Sequence, residues 1–392
     1  MREKKLRTIA IYLPQFHPIK ENDVWWGKGF TEWTNVAKAK PLFRGHYQPH
    51  LPADLGYYDL RLSETREQQA RLAKQYGIEG FCYYHYWFNG RRILERPFTE
   101  VFESGKPDFP FMLCWANENW SRNWDGGNKE ILIEQVYSEA DDRLHIQSLI
   151  PYFKDQRYIK VDGKPVFAVY RSSAILNMEA TIKTWREEAK KYGLELYICR
   201  FESCLEGGKE YLDAGFDAAI DFQPWGRDMN EYKEMIVQKK MMQSSQRLKR
   251  FFYRNIVKKF SEQAYKNYKA TVHQKIIRNN IFDHSEYLNY LISKPVAGYK
   301  VFPGATPIWD NTARQTQHPG IALNANPALY KLWLQHIVKT FQPFSKEENF
   351  VFINAWNEWA EGCHLEPCQK WGKQFLEVTK EVLGNTNDSY IL

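Results

Sequence analysis

Short apolar runs recur along the chain, separated by longer stretches whose apolar positions return every three or four residues. The runs at 8–13, 78–84, 111–115, 166–170, 195–199, 218–222, 300–302 and 350–355 predict β-strands. The stretches at 63–76, 141–153, 181–192 and 327–340 predict amphipathic helices between them. Eight strands alternating with helices predict an α/β fold, a (β/α)8 TIM barrel, and a doubly wound open sheet is the alternative with the same alternation. Polar and aromatic residues cluster just past the strands: His17, His85-Tyr86-Trp87, Asn117-Glu118-Asn119-Trp120, Arg171, Glu202, Gln223-Pro224-Trp225, Trp309-Asp310 and Asn357-Glu358-Trp359. In a barrel, that end of the strands carries the functional site.

One stretch breaks the rhythm. Residues 231–300 carry 15 Lys or Arg against 5 Asp or Glu, while the whole chain has 54 against 47, so the molecule's positive excess resides there. Within it, 247–260 places Leu248, Phe251, Phe252, Ile256 and Phe260 at helical spacing, with basic residues largely on the opposite face. The expected organisation is a barrel in two parts, 1–229 and 299–392, with a basic helical insertion, 230–298, between strands six and seven. Besides a solvated lid, residues 247–260 suit an anionic membrane surface or a lipid-linked glycan. No nucleic-acid signature accompanies the charge, and it lies away from the strand ends, so no nucleic-acid partner is expected.

Composition adds a platform and a compartment. Aromatic residues make up 16% of the chain, including 14 Trp and 24 Tyr. Those that follow strands in short polar motifs suit the flat faces of sugar rings. The six cysteines, at 82, 114, 199, 204, 363 and 368, fit reduced, buried thiols better than a disulfide framework. The apolar run after the charged N-terminus is too short for a signal sequence, and no run of about 18 apolar residues occurs. These features lead us to expect a cytoplasmic protein, at most peripheral at the inner face of the membrane.

The chemistry concentrates near the C-terminus, where the apolar run at 350–355 climbs into Trp356-Asn357-Glu358-Trp359-Ala360-Glu361-Gly362. Glycosidic cleavage needs one group to protonate the leaving oxygen and another to stabilise or attack the anomeric carbon, and paired carboxylates supply both. On a continuing strand, Glu358 and Glu361 would face opposite sides. They converge only if the chain turns after Glu358, which Gly362 would permit. Glu118 offers a rival pairing with Glu358 across the barrel mouth, or a contact to sugar hydroxyls. Glu32, in Gly29-Phe30-Thr31-Glu32-Trp33, reads as a binding acid. Cys363, His364 and Cys368 lack the second cluster that a zinc site needs, so no metal is expected. No dinucleotide or P-loop motif occurs, nor an Asp-x-Asp of metal-dependent sugar-nucleotide transferases, and no cofactor is expected.

The segments Tyr12-Leu13-Pro14-Gln15-Phe16-His17-Pro18 and Trp25-Trp26-Gly27-Lys28-Gly29-Phe30-Thr31-Glu32-Trp33 resemble the opening of WbsX-type proteins of bacterial surface-polysaccharide clusters. These are similar in turn to glycoside hydrolase family 99, the endo-α-1,2-mannosidases and mannanases. Asn357-Glu358-Trp359-Ala360-Glu361-Gly362 matches that family's Asn-Glu-Trp-x-Glu-Gly, and Leu365-Glu366-Pro367 continues it. The resemblance implies a (β/α)8 barrel and retention without a covalent enzyme–sugar bond. It implies Glu358 as base on the sugar's 2-hydroxyl, which closes on the anomeric carbon, and Glu361 as acid and then base. Glu361 is accordingly expected to have a raised pKa, through burial against Trp. Glu118, Asn117, Trp120, Tyr84, His85, Trp87, Trp115, Trp356, Asn357, Glu32 and His17 are the expected substrate-binding residues, although strand parity must turn part of them toward the helices. The implied substrate is an oligosaccharide or polysaccharide with mannose-like α-bonds. A glycosyltransferase of O-antigen or capsule assembly using an activated donor is the alternative, and an inactive glycan-binding barrel is a third reading.

Overall fold

The computed structural model describes residues 6–122, 130–204, 206–241, 251–268, 280–315 and 319–384. Its centre is a ring of parallel strands: β1 Arg7–Tyr12, β2 Gly80–Phe88, β3 Phe111–Trp115, β4 Lys164–Val169, β5 Tyr197–Glu202 and β6 Ala218–Asp221. A split stave, β7, comprises Val301–Phe302 and Gly304–Ala305, and β8 spans Phe350–Ile353. Each strand pairs with its sequence neighbour, and β1 also pairs with β8. The break in β7 falls at Pro303, which has no N–H to give the ladder. Its first half pairs with β6 and its second with β8, so the same segment closes the ring. The (β/α)8 barrel is the fold, and the open-sheet alternative is excluded.

The elements form where the pattern puts them, with shifts that have local causes. The helices Glu139–Phe153 and Met178–Lys190 begin two or three residues earlier than periodicity predicts. Ser138 and Asn177 cap them, their side chains accepting from Asp141 N and Ala180 N and drawing the preceding turn into the helix. β2 outruns its predicted end because it continues as a hairpin with Arg91–Ile93. β5 starts later and runs through Arg200 and Glu202, charged residues that hid its extent. Arg200 is fully buried, and its guanidinium donates to the carbonyls of Glu206 and Gly208 at 3.0 and 2.7 Å.

Between β6 and β7 lie the helix Met229–Met241, helical residues 251–260 and 262–268, the strand Asn280–Asp283 and the helix His284–Ile292. The stretch is therefore not purely helical: Asn280–Asp283 pairs in parallel with Gly320–Leu323 beyond β7. Residues 247–250 of the expected amphipathic helix lie outside the described residues. The six cysteines are unbonded thiols, and five of them are buried. Among the described residues, no helix is long and apolar enough to cross a membrane.

Candidate active site

The turn needed to bring the two C-terminal acids together is present. Asn357–Glu358 pairs in antiparallel fashion with Cys363–His364, and Trp359–Glu361 forms a single helical turn between them. Gly362 closes the turn at φ +65°. A Cβ there would stand 2.9 Å from both the backbone N and O of Asp310, so only glycine fits both the conformation and the space. Asp310 N in turn donates to the Glu361 carbonyl at 2.8 Å, tying this hairpin to the loop after β7.

That loop supplies the group on which the acids converge. Asp310 caps the short turn Asn311–Ala313 through Thr312, and His46 Nε2 lies 2.7 Å from its other oxygen. The next residue, Arg314, reaches Glu358 at 2.7 Å, Glu361 at 3.1 Å and Glu32 at 3.1 Å. Glu32 is fully buried at the start of the helix Glu32–Lys38, whose N-cap is Thr31. Burial would ordinarily weaken a guanidinium's hold on its proton, but three carboxylates reverse this and raise the Arg314 pKa. Burial pushes Glu358 well up, opposed by Arg314 and reinforced by Glu361 and Glu32. Burial also pushes Glu361 up, again opposed by Arg314 and reinforced by Glu32 and Glu118. With three acids around one cation, a proton is most easily retained within the cluster.

Glu358, Glu361 and Arg314 line a cleft of about 900 Å³ at the C-terminal mouth of the barrel. Tyr84 and Tyr86 from β2, Tyr170 after β4 and Phe222 after β6 form its aromatic wall, and Trp120 lies past β3. Trp120 packs among Trp25, Tyr86 and Phe88, with ring centroids at 6.0, 5.2 and 6.4 Å. Gln15 donates to the Tyr86 hydroxyl at 2.7 Å. Glu118 also faces the cleft and accepts from Arg171 at 2.6 and 3.0 Å, while Arg171 leans toward the buried Glu206 at 3.4 Å.

Several residues expected to bind substrate do other work. Asn117 borders the cleft, but its amide is spent on backbone: it accepts from Arg171 N at 2.8 Å and donates to Arg171 O at 2.8 Å, pinning β3 to β4. Asn357 does the same for β8 and β1, accepting from Leu13 N at 2.8 Å and donating to Leu13 O at 3.0 Å. His85, Trp87 and Trp115 point outward into the helix layer. His85 Nε2 sits 3.0 Å from His145 Nε2, the Trp87 indole donates to Asp141 at 3.0 Å, and the Trp115 indole donates to Trp87 O at 3.1 Å. Burial drives the His85 pKa down to about 3, which keeps it neutral. Trp356 is buried beside Phe81, and His17 is buried outside the cleft lining with its pKa lowered to about 4. The cause is parity: in β2, Tyr84 and Tyr86 face the cleft and their neighbours His85 and Trp87 cannot. Tyr86 stands in the strand-end cluster but not among the expected binding residues, and Tyr170 and Arg314 stand in neither. Parity from Tyr84 marks Tyr86, and acids packed this closely call for an arginine from another strand end. The rise in Glu361 has the expected direction and burial as its largest cause; Arg314 opposes it, and Glu32 and Glu118 add to it.

Known proteins bear on this geometry. Two proteins called WxcX, without assigned function, from Xanthomonas campestris pv. campestris strains B100 and ATCC 33913, are each 37% identical over 382 residues. The match covers 97% of this chain, which spans about half the length of those relatives. A solved glycoside hydrolase-like protein is similar in fold, with a TM-score of 0.57 at 13% identity over 98% of this chain and 95% of its own. The GH99 endo-α-mannosidase of Bacteroides thetaiotaomicron follows with a TM-score of 0.53 at 13% identity over 96% of each chain. At such identities the likeness concerns the barrel alone. The sequence model described as "Glycosyltransferase WbsX" matches residues 8–379, nearly the whole length, and the chain belongs to that family of carbohydrate-active proteins.

Proposed function

We propose that the chain is a retaining enzyme acting on α-glycosidic, mannose-like bonds of a bacterial surface polysaccharide, with Glu358 and Glu361 as its catalytic pair. The observation that carries this reading is the convergence of two acids from one turn on the partly buried Arg314 at an aromatic-walled cleft. In the first step, Glu358 takes the proton of the 2-hydroxyl and that oxygen closes on the anomeric carbon. The glycosidic bond breaks as Glu361 gives its proton to the departing oxygen. In the second step, Glu361 takes a proton from the acceptor hydroxyl, the acceptor opens the 1,2-anhydro ring, and the 2-oxygen recovers its proton from Glu358. Arg314 opposes the burial that pushes both acids up, and its shorter contact to Glu358, 2.7 Å against 3.1 Å to Glu361, supports Glu358 as the ionised partner. The cluster keeps a proton available, as the acid requires.

The lining favours a glycan donor over a nucleotide sugar. Among the described residues, Glu118, Glu358 and Glu361 face the cleft against Arg171 and Arg314, and both arginines already hold carboxylates. A diphosphate would have to compete with those carboxylates for either arginine. The family description favours a sugar hydroxyl as acceptor in place of water, which the same two acids serve equally well.

The test is incubation with α-1,2-linked manno-oligosaccharides, and separately with sugar nucleotides plus a lipid-linked acceptor. Release of new reducing ends, or chain lengthening without a nucleotide, supports the proposal. Glu358→Gln and Glu361→Gln are expected to lower turnover by at least 100-fold with the fold intact. Transfer from a nucleotide sugar that survives both changes would sink the assignment.

A further inference from the structure

We infer that the insertion between β6 and β7 docks the protein on an anionic lipid surface through an apolar face on residues 251–260. These residues form one continuous helix, whose central turn Tyr253–Val257 is wound wider than an α-helix. A second helix, 262–268, folds back beside it. The two meet through one side of the first: the Tyr253 ring stacks on Tyr268 with centroids 4.0 Å apart and planes at 9°, and Lys258 Nζ stands 5.8 Å above the Tyr265 ring. The apolar residues not used in that contact stay in water. Phe251 is 59% exposed, Phe252 49%, Ile256 44% and Phe260 88%.

Four large apolar side chains within ten residues are all exposed, a local concentration that scattered surface hydrophobics do not give. Phe252, Ile256 and Phe260 follow one another at four-residue steps and make a stripe. Arg254, Lys258 and Lys259 are exposed on the same helix, and no acid occurs between 251 and 260. Large apolar side chains flanked by lysine and arginine match an acyl-chain boundary beneath anionic headgroups, where rings insert and cations remain at headgroup level. A protein partner for the same patch would have to be acidic and apolar together, and nothing else in the molecule calls for one. The inference does not depend on the reaction carried out in the cleft.

The experiment is flotation of the full chain with vesicles of phosphatidylcholine alone and with about one-third phosphatidylglycerol, a content chosen to give a strongly negative surface. Flotation is expected only with the anionic vesicles and is expected to weaken in high salt. Two variants separate the contributions. Phe252→Ser/Ile256→Ser/Phe260→Ser removes the apolar stripe, and Arg254→Gln/Lys258→Gln/Lys259→Gln removes the cations. Each is expected to reduce the bound fraction at least tenfold, with thermal melting unchanged because none of the six is buried. No flotation with anionic vesicles, equal flotation with neutral ones, or binding that survives both variants would overturn the inference. So would sedimentation showing a dimer that the serine variant dissolves while vesicles remain unbound, since the patch would then join two copies of the chain.

Discussion

Arg314 joins parts of the chain that are far apart in sequence: Glu32 from the loop after β1, and Glu358 and Glu361 from the turn after β8. No local pattern marks it. It follows an unremarkable Asn311-Thr312-Ala313, and its meaning appears only when barrel closure brings the ends of β7, β8 and β1 together. The two acids, by contrast, were legible, because carboxylates three apart beside tryptophans form a short-range signal. Removing the cation from such a buried cluster has a predictable pH signature. The acids already have raised pKa values in the folded protein, and Arg314 is the group opposing that rise. In the unfolded chain they ionise near pH 4, so above that pH the folded state bears a cost of holding them ionised, or of keeping protons that the unfolded chain has released. Arg314→Met increases that cost. The loss of stability is expected to be small near pH 4–5 and to grow to about 3–5 kcal/mol at pH 8. Urea unfolding at the two pH values measures it, and an equal loss at both would mean that the side chain acts by packing alone.

At the scale of elements, the positions of the strands could be read from apolar runs, whereas the direction of each side chain required the register. His85 and Trp87 look like site residues in a list, yet they sit one step out of phase with Tyr84 and Tyr86 and serve the outer layer through His145 and Asp141. Asn117 and Asn357 mislead for another reason: an asparagine past a strand end can staple two backbones as readily as it can hold a sugar, and both here do the former. Under the proposed reaction, the element that governs the chemistry is the hairpin Asn357–His364. Its inner wall is fixed by the buried Glu366, which accepts from Tyr58 at 2.9 Å, Gln69 at 2.7 Å and the Trp359 indole at 2.6 Å. Its far end is fixed by Gly362 against Asp310. Gly362→Ala forces a Cβ into the Asp310 backbone at a positive φ. It is expected to cost about 1–3 kcal/mol and to displace the Glu361 carbonyl from Asp310 N. Thermal melting reads the first effect. Turnover should fall further than the lost stability accounts for, because the acid moves with the turn.

For the whole molecule, the closed ring explains why a site can be built from distant segments and why its size is informative. A cleft of about 900 Å³ is at the upper end for small-molecule sites, so one pyranose leaves most of it empty. The acids enter from β8, and Trp120 enters past β3, three staves round the ring. Under the proposed reaction, Trp120 is the candidate to stack on a sugar unit remote from the bond that breaks. Binding energy gained on a remote unit can be spent on reaching the transition state, which raises turnover as well as affinity. Two expectations follow for manno-oligosaccharides under the proposed reaction. The ratio kcat/KM should climb steeply from the disaccharide and level off after about three or four units, when the cleft is full. Trp120→Ala should lower kcat/KM by about tenfold on the longer substrates, the worth of one aromatic stacking face, and leave the disaccharide nearly unaffected. Kinetics across a length series with both proteins checks this directly. An equal loss at every length would place Trp120 beside the reacting sugar, and no dependence on length would mean that the cleft binds a single unit.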